Sequence, residues 1–513
     1  MFDSEDLVTC LNSLYEANVT DDMLTLIHEA NKVTHFAVKT PNGITEKTKI
    51  ENKILQGDVM APLMSSNMVD KNIGSPAINA QNVYLYKGKV PIPPLTMQDD
   101  TLGVSECGFK SRKTNNFLNT RTNIMGLQFG RDKCVKMHIG KKQNENICTA
   151  FEVDVWEDVI ESDLYGNEEL KDTYFGKEKM KEVSHKKYLG DIIQNDMKND
   201  KNIKDKTDKA VGNVNKILSA LNERPYGRHS YKAAVLMRQG ILLGGLLTNA
   251  ETWINITEKD IDNLSMPDTI LQREILSSSG NPSKVFMFLE LGIIPVKYVI
   301  MAKRLNFLNT LLRENTSSML RQVYTVLKSD SRNGDFFALV QKDKTALNIQ
   351  LIDEEVKTFS KHAWKKYIKS KIKETVFNML VTKNSYLENT KQVIFHELKM
   401  SEYLIQNRNK CLAKIIFAVR SKTLDIKMWL PWKYFDNLCV MCERKEENMD
   451  HFMICTSYEN LAQEKYWEIM LQDNVDKQYE IAKIVKVRHK MRQDKIDKFE
   501  AGQADGSGAP GNC

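Results

Sequence analysis

Two groups of side chains in this sequence have the types and spacing to do chemistry. "PPLTMQDDTLGV", residues 93 to 104, sets Asp99 and Asp100 side by side between two short apolar runs. Adjacent carboxylates repel, and each raises the cost of ionising the other, so the pair is either a water-screened tip or a cradle for a divalent cation. Leu95 and Met97 lead in and Leu102 and Val104 lead out, which predicts a tight hairpin with both acids at its tip. The second group is Cys439-x2-Cys442-x8-His451-x3-Cys455. A two-residue gap lets one tight turn aim both thiolates at a single ion, and His451 and Cys455, four apart, share a helix face. Three thiolates and one imidazole complete a tetrahedral zinc shell with no open position, so the expected role of Zn²⁺ is structural. Three of the nine cysteines fall within these 17 residues, which scattered buried small hydrophobes would not do.

A third stretch binds rather than reacts. "KTFSKHAWKKYIKSKIK" holds seven lysines and no acid, with Lys357, Lys361, Lys365, Lys369 and Lys373 at every fourth residue. On a helix these make a positive stripe beside an apolar one of Phe359, Ala363, Tyr367 and Ile368. A nucleic-acid backbone would neutralise the stripe with counterion release, and Trp364 or Tyr367 could stack on a base. The bland alternative is a solvated helix face with its aromatics in the core. Lys361, Lys365 and Lys369 are the candidate nucleic-acid contacts.

Bulk properties narrow the setting. With 513 residues and 42% apolar content the chain can bury more than one core. Lys plus Arg is 73 against 67 Asp plus Glu, a balance of +6, so polyanion binding must come from local clusters and not from the overall field. An odd number of unevenly spread cysteines does not make a disulfide framework. "MFDSEDLVTC" carries no secretory pattern, and "ILLGGLL" is far short of the roughly 20 residues of a membrane span. The expectation is a soluble protein, nuclear or cytoplasmic, not secreted and with no membrane partner.

Along the chain, residues 1 to about 145 read as mixed helix and strand. "SEDLVTCLNSLYEA" and "VTDDMLTLIHEA" are helical, while "VTHFAVKT" and "NVYLYKG" alternate like strands. From about 200 helical patterns dominate to about 430, beginning with Val211, Val214, Ile217, Leu218 and Leu221 on one stripe. A Cys/His cluster, a basic helical segment and a Gly/Ala tail follow.

Four pieces occur in a fixed order: "KILQGDVMAPLM", the Asp99-Asp100 hairpin, "NIMGLQFGRDKC" and "HKKYLGDIIQ". This set resembles the palm of reverse transcriptases of non-LTR retrotransposons, the site-specific class that carries a restriction-like endonuclease. The matching residues are Gln56, Gly57 and Pro62; Asp99 and Asp100; Gly126, Leu127 and Lys133; and Tyr188, Leu189 and Gly190. "LLTNAETWINITEKDI" looks like the helical thumb of those elements, which also carry a zinc knuckle after the thumb.

The resemblance implies an α+β protein. Residues 1–200 would be a partial palm, 201–300 a helical thumb, 301–435 a helical connector holding the basic helix, and 436–460 a CCHC zinc knuckle. A basic helical segment at 461–500 and a tail at 501–513 would complete it. The implied reaction is RNA-directed DNA synthesis, with an RNA template and a DNA primer or target as partners. Phosphoryl transfer of this kind uses two Mg²⁺ ions about 4 Å apart, held by hard oxygen ligands. By the resemblance Asp99 is the main magnesium ligand, Asp100 its partner, and Lys133 lies near the leaving phosphates. Gln56 and Gly57 shape the nucleotide and template pocket, and Tyr188, Leu189 and Gly190 steady the primer end.

The chain also departs from that family. Its hairpin usually reads Tyr-x-Asp-Asp, where Met97 and Gln98 stand here. The family's first metal-binding Asp precedes a Phe by five residues in a segment ending Phe-Asp-Ser; here that segment is Met1-Phe2-Asp3-Ser4, and Asp3 matches a non-catalytic position. The expectation is a fragment inactive as a polymerase in the form given. The rival expectations are a non-catalytic zinc-knuckle protein that binds nucleic acid, and a decayed element with no selected function.

Overall fold

The computed structural model describes residues 7–505 except 42, 52–59, 75, 78–83, 98–99, 107, 126–132, 140–180, 223–229, 277–280, 389, 430–433, 459–465 and 473. The fold is mixed α+β with helix far outweighing strand, 62% against 9%, so helix packing decides where the cores lie. Two compact units emerge, Met1–Lys198 with Glu314–Ser331, and Asn199–Arg313 with Arg332–Cys513. No single helix among the described residues is long and apolar enough to cross a membrane.

In the first unit, Leu7, Cys10 and Leu14 recur at helical spacing along Leu7–Glu16 and are buried against Met64 and Met68 of Ala61–Val69. The Cys10 sulfur lies 3.3 Å from that of Met68. Pro62 sits in the first turn of Ala61–Val69, where its missing N–H costs nothing. Strands pair only in twos, forming six separate two-stranded sheets, so no broad sheet spans this unit among the described residues. Leu95–Met97 pairs antiparallel with Asp100–Leu102, Met97 opposite Asp100, which leaves a two-residue connection at 98–99. His185–Tyr188 pairs with Asp191–Gln194 through Leu189 and Gly190, both at positive φ (45° and 89°), as a primed two-residue hairpin turn demands. The segment 314–331 supplies the helix Met319–Ser329 with Tyr324 buried, and Asp330 at its end pairs with Lys87 at 2.8 Å.

The second unit is helical. Asp200–Asn222 packs on Glu258–Leu276, Val296–Arg313 on Lys361–Ser385, and Lys410–Arg420 on Val475–Asp505. Val214, Ile217 and Leu221 of the first helix are buried as their spacing requires. Gly292 ends Lys284–Leu291 in the left-handed region (φ 62°), and a Cβ there would stand 2.2 Å from the backbone of Lys399 and Met400. Only glycine allows that crossing. Arg238–Asp268, Arg304–Asp343 and Arg420–Glu290 are buried ion pairs. Breaking any one would strand a charge away from water.

The helix Lys361–Ser385 shows how a stripe can be misread. Its buried row is Trp364, Ile368, Ile372, Val376 and Leu380, not the row of Phe359, Ala363, Tyr367 and Ile368 that the sequence suggests. Ala363 is exposed, and Phe359 and Tyr367 are half-buried against Trp364. The Trp364 indole N–H donates to the Leu305 carbonyl at 2.8 Å, so this ring is a core residue and no platform for a base. Trp364→Ala should therefore lower stability by about 3–5 kcal/mol in urea unfolding. Lys365→Gln, one residue away on the exposed side, should change it by less than about 0.5 kcal/mol.

Candidate metal centre

The Cys/His cluster is assembled by a ribbon and a short helix. Leu438 and Glu446 face each other across an antiparallel bridge, and the Cys439 amide closes the ribbon on the Lys445 carbonyl at 2.7 Å. Between them the chain turns sharply: the Glu443 amide donates to the Cys439 carbonyl at 2.8 Å, and Glu443 takes a left-handed conformation (φ 57°). His451 lies in Met449–Ile454, whose N-cap Asn448 accepts from the His451 amide at 2.7 Å, and Cys455 caps the carboxyl end of the same helix. His451 is thus fixed in the first turn, and Cys455 follows one turn later with its amide on the His451 carbonyl at 2.8 Å.

One ligand atom from each of Cys439, Cys442, His451 and Cys455 lies within 4.8 Å of the others. Cys439 and Cys455 Sγ are 4.0 Å apart, and Cys442 Sγ is 3.2 Å from His451 Nε2. Among the described residues this is the only group of three or more such donors brought together. It can hold one metal ion, and three sulfurs with one imidazole are compatible with structural zinc. The sulfurs are not equivalent. Burial pushes the Cys439 thiol up to about 12, against the amides of Cys442 and Met441. Burial acts on Cys442 too, but the amides of Arg444 and Lys445 and the His451 ring hold its thiol down to about 6.

The clamp behind this cluster was not foreseen. The long helix Val475–Asp505 lies in the stretch expected to be a basic segment, yet Arg488 and Arg492 are fully buried. Arg492 donates to both carboxylate oxygens of buried Glu447, at 2.9 and 2.8 Å. The same carboxylate accepts the Val440 amide at 3.2 Å, inside the Cys439–Cys442 turn, and the Lys427 amide at 2.9 Å. Arg488 donates to the carbonyls of Phe452 and Cys455 at 2.9 and 3.4 Å, at the end of the ligand helix. Lys495 reaches the Met441 carbonyl and the Glu443 carboxylate at 3.0 and 2.8 Å. The signal was the i, i+4, i+7 spacing of Arg488, Arg492 and Lys495, which looks like a solvated face until a buried carboxylate is known to oppose it.

The other anticipated residues divide. Gln56, Gly57, Asp99, Gly126 and Leu127 lie outside the described residues. Asp100 is exposed at the start of its strand. Tyr188 donates to the Leu95 carbonyl at 3.4 Å, in the strand that leads to the acids, and burial and then the Asp100 carboxylate push its hydroxyl pKa up. Two residues earlier, Lys186 Nζ donates to the Lys133 carbonyl at 3.3 Å. One strand thus touches two of the anticipated segments, 93 and 53 residues away. Lys361, Lys365, Lys369 and Lys373 are exposed, Lys361 as the first residue of the helix and the others one position after buried Trp364, Ile368 and Ile372.

Comparison with known proteins finds no matching family model and no matching curated protein. The cluster makes its own prediction. Co²⁺ titration should give sulfur-to-metal absorption that Cys442→Ser weakens, and affinity should rise with pH because Cys439 must release a proton on binding. Arg492→Met, which leaves Glu447 buried and unpaired, should destabilise the protein by about 3–5 kcal/mol in denaturant unfolding.

Proposed function

We propose that this chain is a portion of an RNA-directed DNA polymerase of the non-LTR retrotransposon type, and that its second unit binds nucleic acid around a structural Zn²⁺ held by Cys439, Cys442, His451 and Cys455. The observation that carries this reading is the contact set of the strand His185–Tyr188, with Tyr188 on Leu95 and Lys186 on Lys133. A polymerase of that type needs its acid hairpin, its primer-end turn and its phosphate lysine around one reacting centre, and the contacts of this strand with the Leu95 and Lys133 main-chain carbonyls support that reading.

In this reading Asp99 and Asp100 hold Mg²⁺, whose charge would also relieve the repulsion between the two acids. Bound there, magnesium supplies charge stabilisation for the attacking and leaving oxygens of an in-line transfer. Tyr188, Leu189 and Gly190 support the primer end, Gln56 and Gly57 the template and nucleotide, and Lys133 the leaving phosphates. Met97 stands exposed where the family has an aromatic ring. Gln98 alters the nucleotide-selecting position. The RNA template and DNA primer or target are the partners, which suits a nuclear or cytoplasmic location.

A second reading, nucleic-acid binding without polymerisation, draws on the lysine row. Lys361, Lys365, Lys369 and Lys373 face solvent at helical spacing of four residues, about 6 Å per step. Fluorescence anisotropy with labelled RNA and DNA tests both readings. Lys361→Gln, Lys365→Gln and Lys369→Gln together should weaken binding and flatten the log–log salt dependence by about 2–3, since each neutralised phosphate contributes roughly 0.7–0.9. Primer extension on an RNA template with Mg²⁺, abolished in Asp100→Asn, would support the polymerase. Lysine-dependent binding with no extension would fit an inactive fragment and the second reading alike, and absence of binding would reject both.

A further inference from the structure

The three sulfurs of the Cys/His cluster differ in what can reach them. Cys439 and Cys455 are buried with their Sγ atoms 4.0 Å apart, while Cys442 is half-buried on the His451 side. All three lie within 4.8 Å of one another. An oxidant arriving from water meets Cys442 first, because thiol oxidation follows access. The gap between the other two closes to a disulfide bond of about 2.05 Å by a modest approach of two side chains.

What holds the two buried cysteines in place does not involve a metal ion. The ribbon bearing Cys439 is pinned by its Val440 amide on the Glu447 carboxylate and by its Met441 carbonyl, which accepts from Lys495 at 3.0 Å. The helix end bearing Cys455 is pinned by the Cys455 and Phe452 carbonyls, both on Arg488. Phe452 and Tyr458 are buried with their rings 5.4 Å apart, edge to face, and the Arg488 guanidinium lies over the Tyr458 ring. None of these contacts uses a ligand sulfur or the imidazole. Small zinc modules without such support unfold when the ion leaves. This one keeps its frame.

We propose that the cluster is a peroxide-sensitive switch: hydrogen peroxide converts Cys439 and Cys455 to a disulfide and expels the metal ion, and the Glu447–Arg492 clamp holds the frame for reloading after reduction. This rests on the metal-binding reading of the cluster. Cys442 Sγ attacks one peroxide oxygen, the O–O bond breaks, and the other oxygen takes a proton and leaves as water, so that Cys442 becomes a sulfenic acid. A second sulfur attacks Cys442 Sγ, and the hydroxyl leaves as water with a second proton. The third sulfur then attacks that second one, Cys442 departs as a thiolate, and the Cys439–Cys455 bond is formed. In sum, two thiolates lose two electrons, and one peroxide with two protons becomes two waters. The bridge rests on the buried pair because a disulfide that includes Cys442 stays open to attack by thiols in solution. Metal ligation needs thiolates, so two of the four donors are lost at once and the ion leaves.

The test treats the full, zinc-loaded chain with hydrogen peroxide in the absence of added thiols. One zinc per chain should pass to a chromogenic chelator, and helical circular dichroism should be retained. Peptide mapping should find Cys439 joined to Cys455, with Cys442 still open to alkylation. Dithiothreitol followed by Zn²⁺ should return the bridge to thiols and restore the bound metal. Cys442→Ser should form the bridge several-fold more slowly than the parent chain, both compared metal-free so that weaker metal binding by the variant does not enter. Equal rates in the two would overturn the route through Cys442. A final bridge that includes Cys442, sulfinic acid with no bridge, or a loss of helix that reduction does not reverse would each overturn the switch and leave metal binding standing. A chain that takes up no zinc would overturn the metal reading and the switch together.

Discussion

The buried pair of Glu447 and Arg492 is the interaction on which the geometry of the Cys/His cluster depends. Each side chain is fully removed from water, and two parallel hydrogen bonds join them. Such a pair gives little net stability, because the cost of stripping water from both charges offsets most of their attraction. What it gives is register. Glu447 lies between Cys442 and His451, and its carboxylate also takes the Val440 amide from within the first ligand turn. A shift of the long helix by one residue would part the Glu447 carboxylate from the Arg492 guanidinium and leave both charges unpaired in a dry interior.

The neighbouring contacts extend the same logic. Arg488 places a cation at the carboxyl end of Met449–Ile454, where unpaired carbonyls and the helix dipole favour positive charge. Its guanidinium also lies 4.9 Å from the Tyr458 ring. Three thiolates around one divalent ion leave net negative charge, so buried arginines close by reduce the penalty of holding that charge away from water. The long helix is therefore a structural part of the centre and not an appendage to it.

Sequence alone reached the Cys/His cluster because all four ligands lie close together in the chain, and because cysteine and histidine at those intervals have few other uses. It missed the clamp for the opposite reason. Glu447 and Arg492 are 45 residues apart, and charged residues are assigned to the surface by default. The lysine row of Lys361–Ser385 was legible as a face, but its apolar partner was displaced by one position: Trp364, Ile368 and Ile372 recur at the same four-residue interval as the lysines. The paired strands around Asp99 and Asp100 were legible from alternation in Leu95, Met97 and Leu102. The Tyr188 contact with Leu95 was not, since no local pattern reports a contact 93 residues away.

The short stretch Glu314–Ser331 belongs with the first compact unit although both its neighbours along the chain belong to the second. Tyr324 is buried there, and Asp330 waits for Lys87. A ribosome delivers residues in order, and domains tend to fold as they emerge. The earlier unit must therefore remain incomplete until more than a hundred further residues have been translated. During that interval the apolar surface that Tyr324 will cover is open to other chains, so slow elongation through residues 199–313 would favour aggregation of nascent protein over folding.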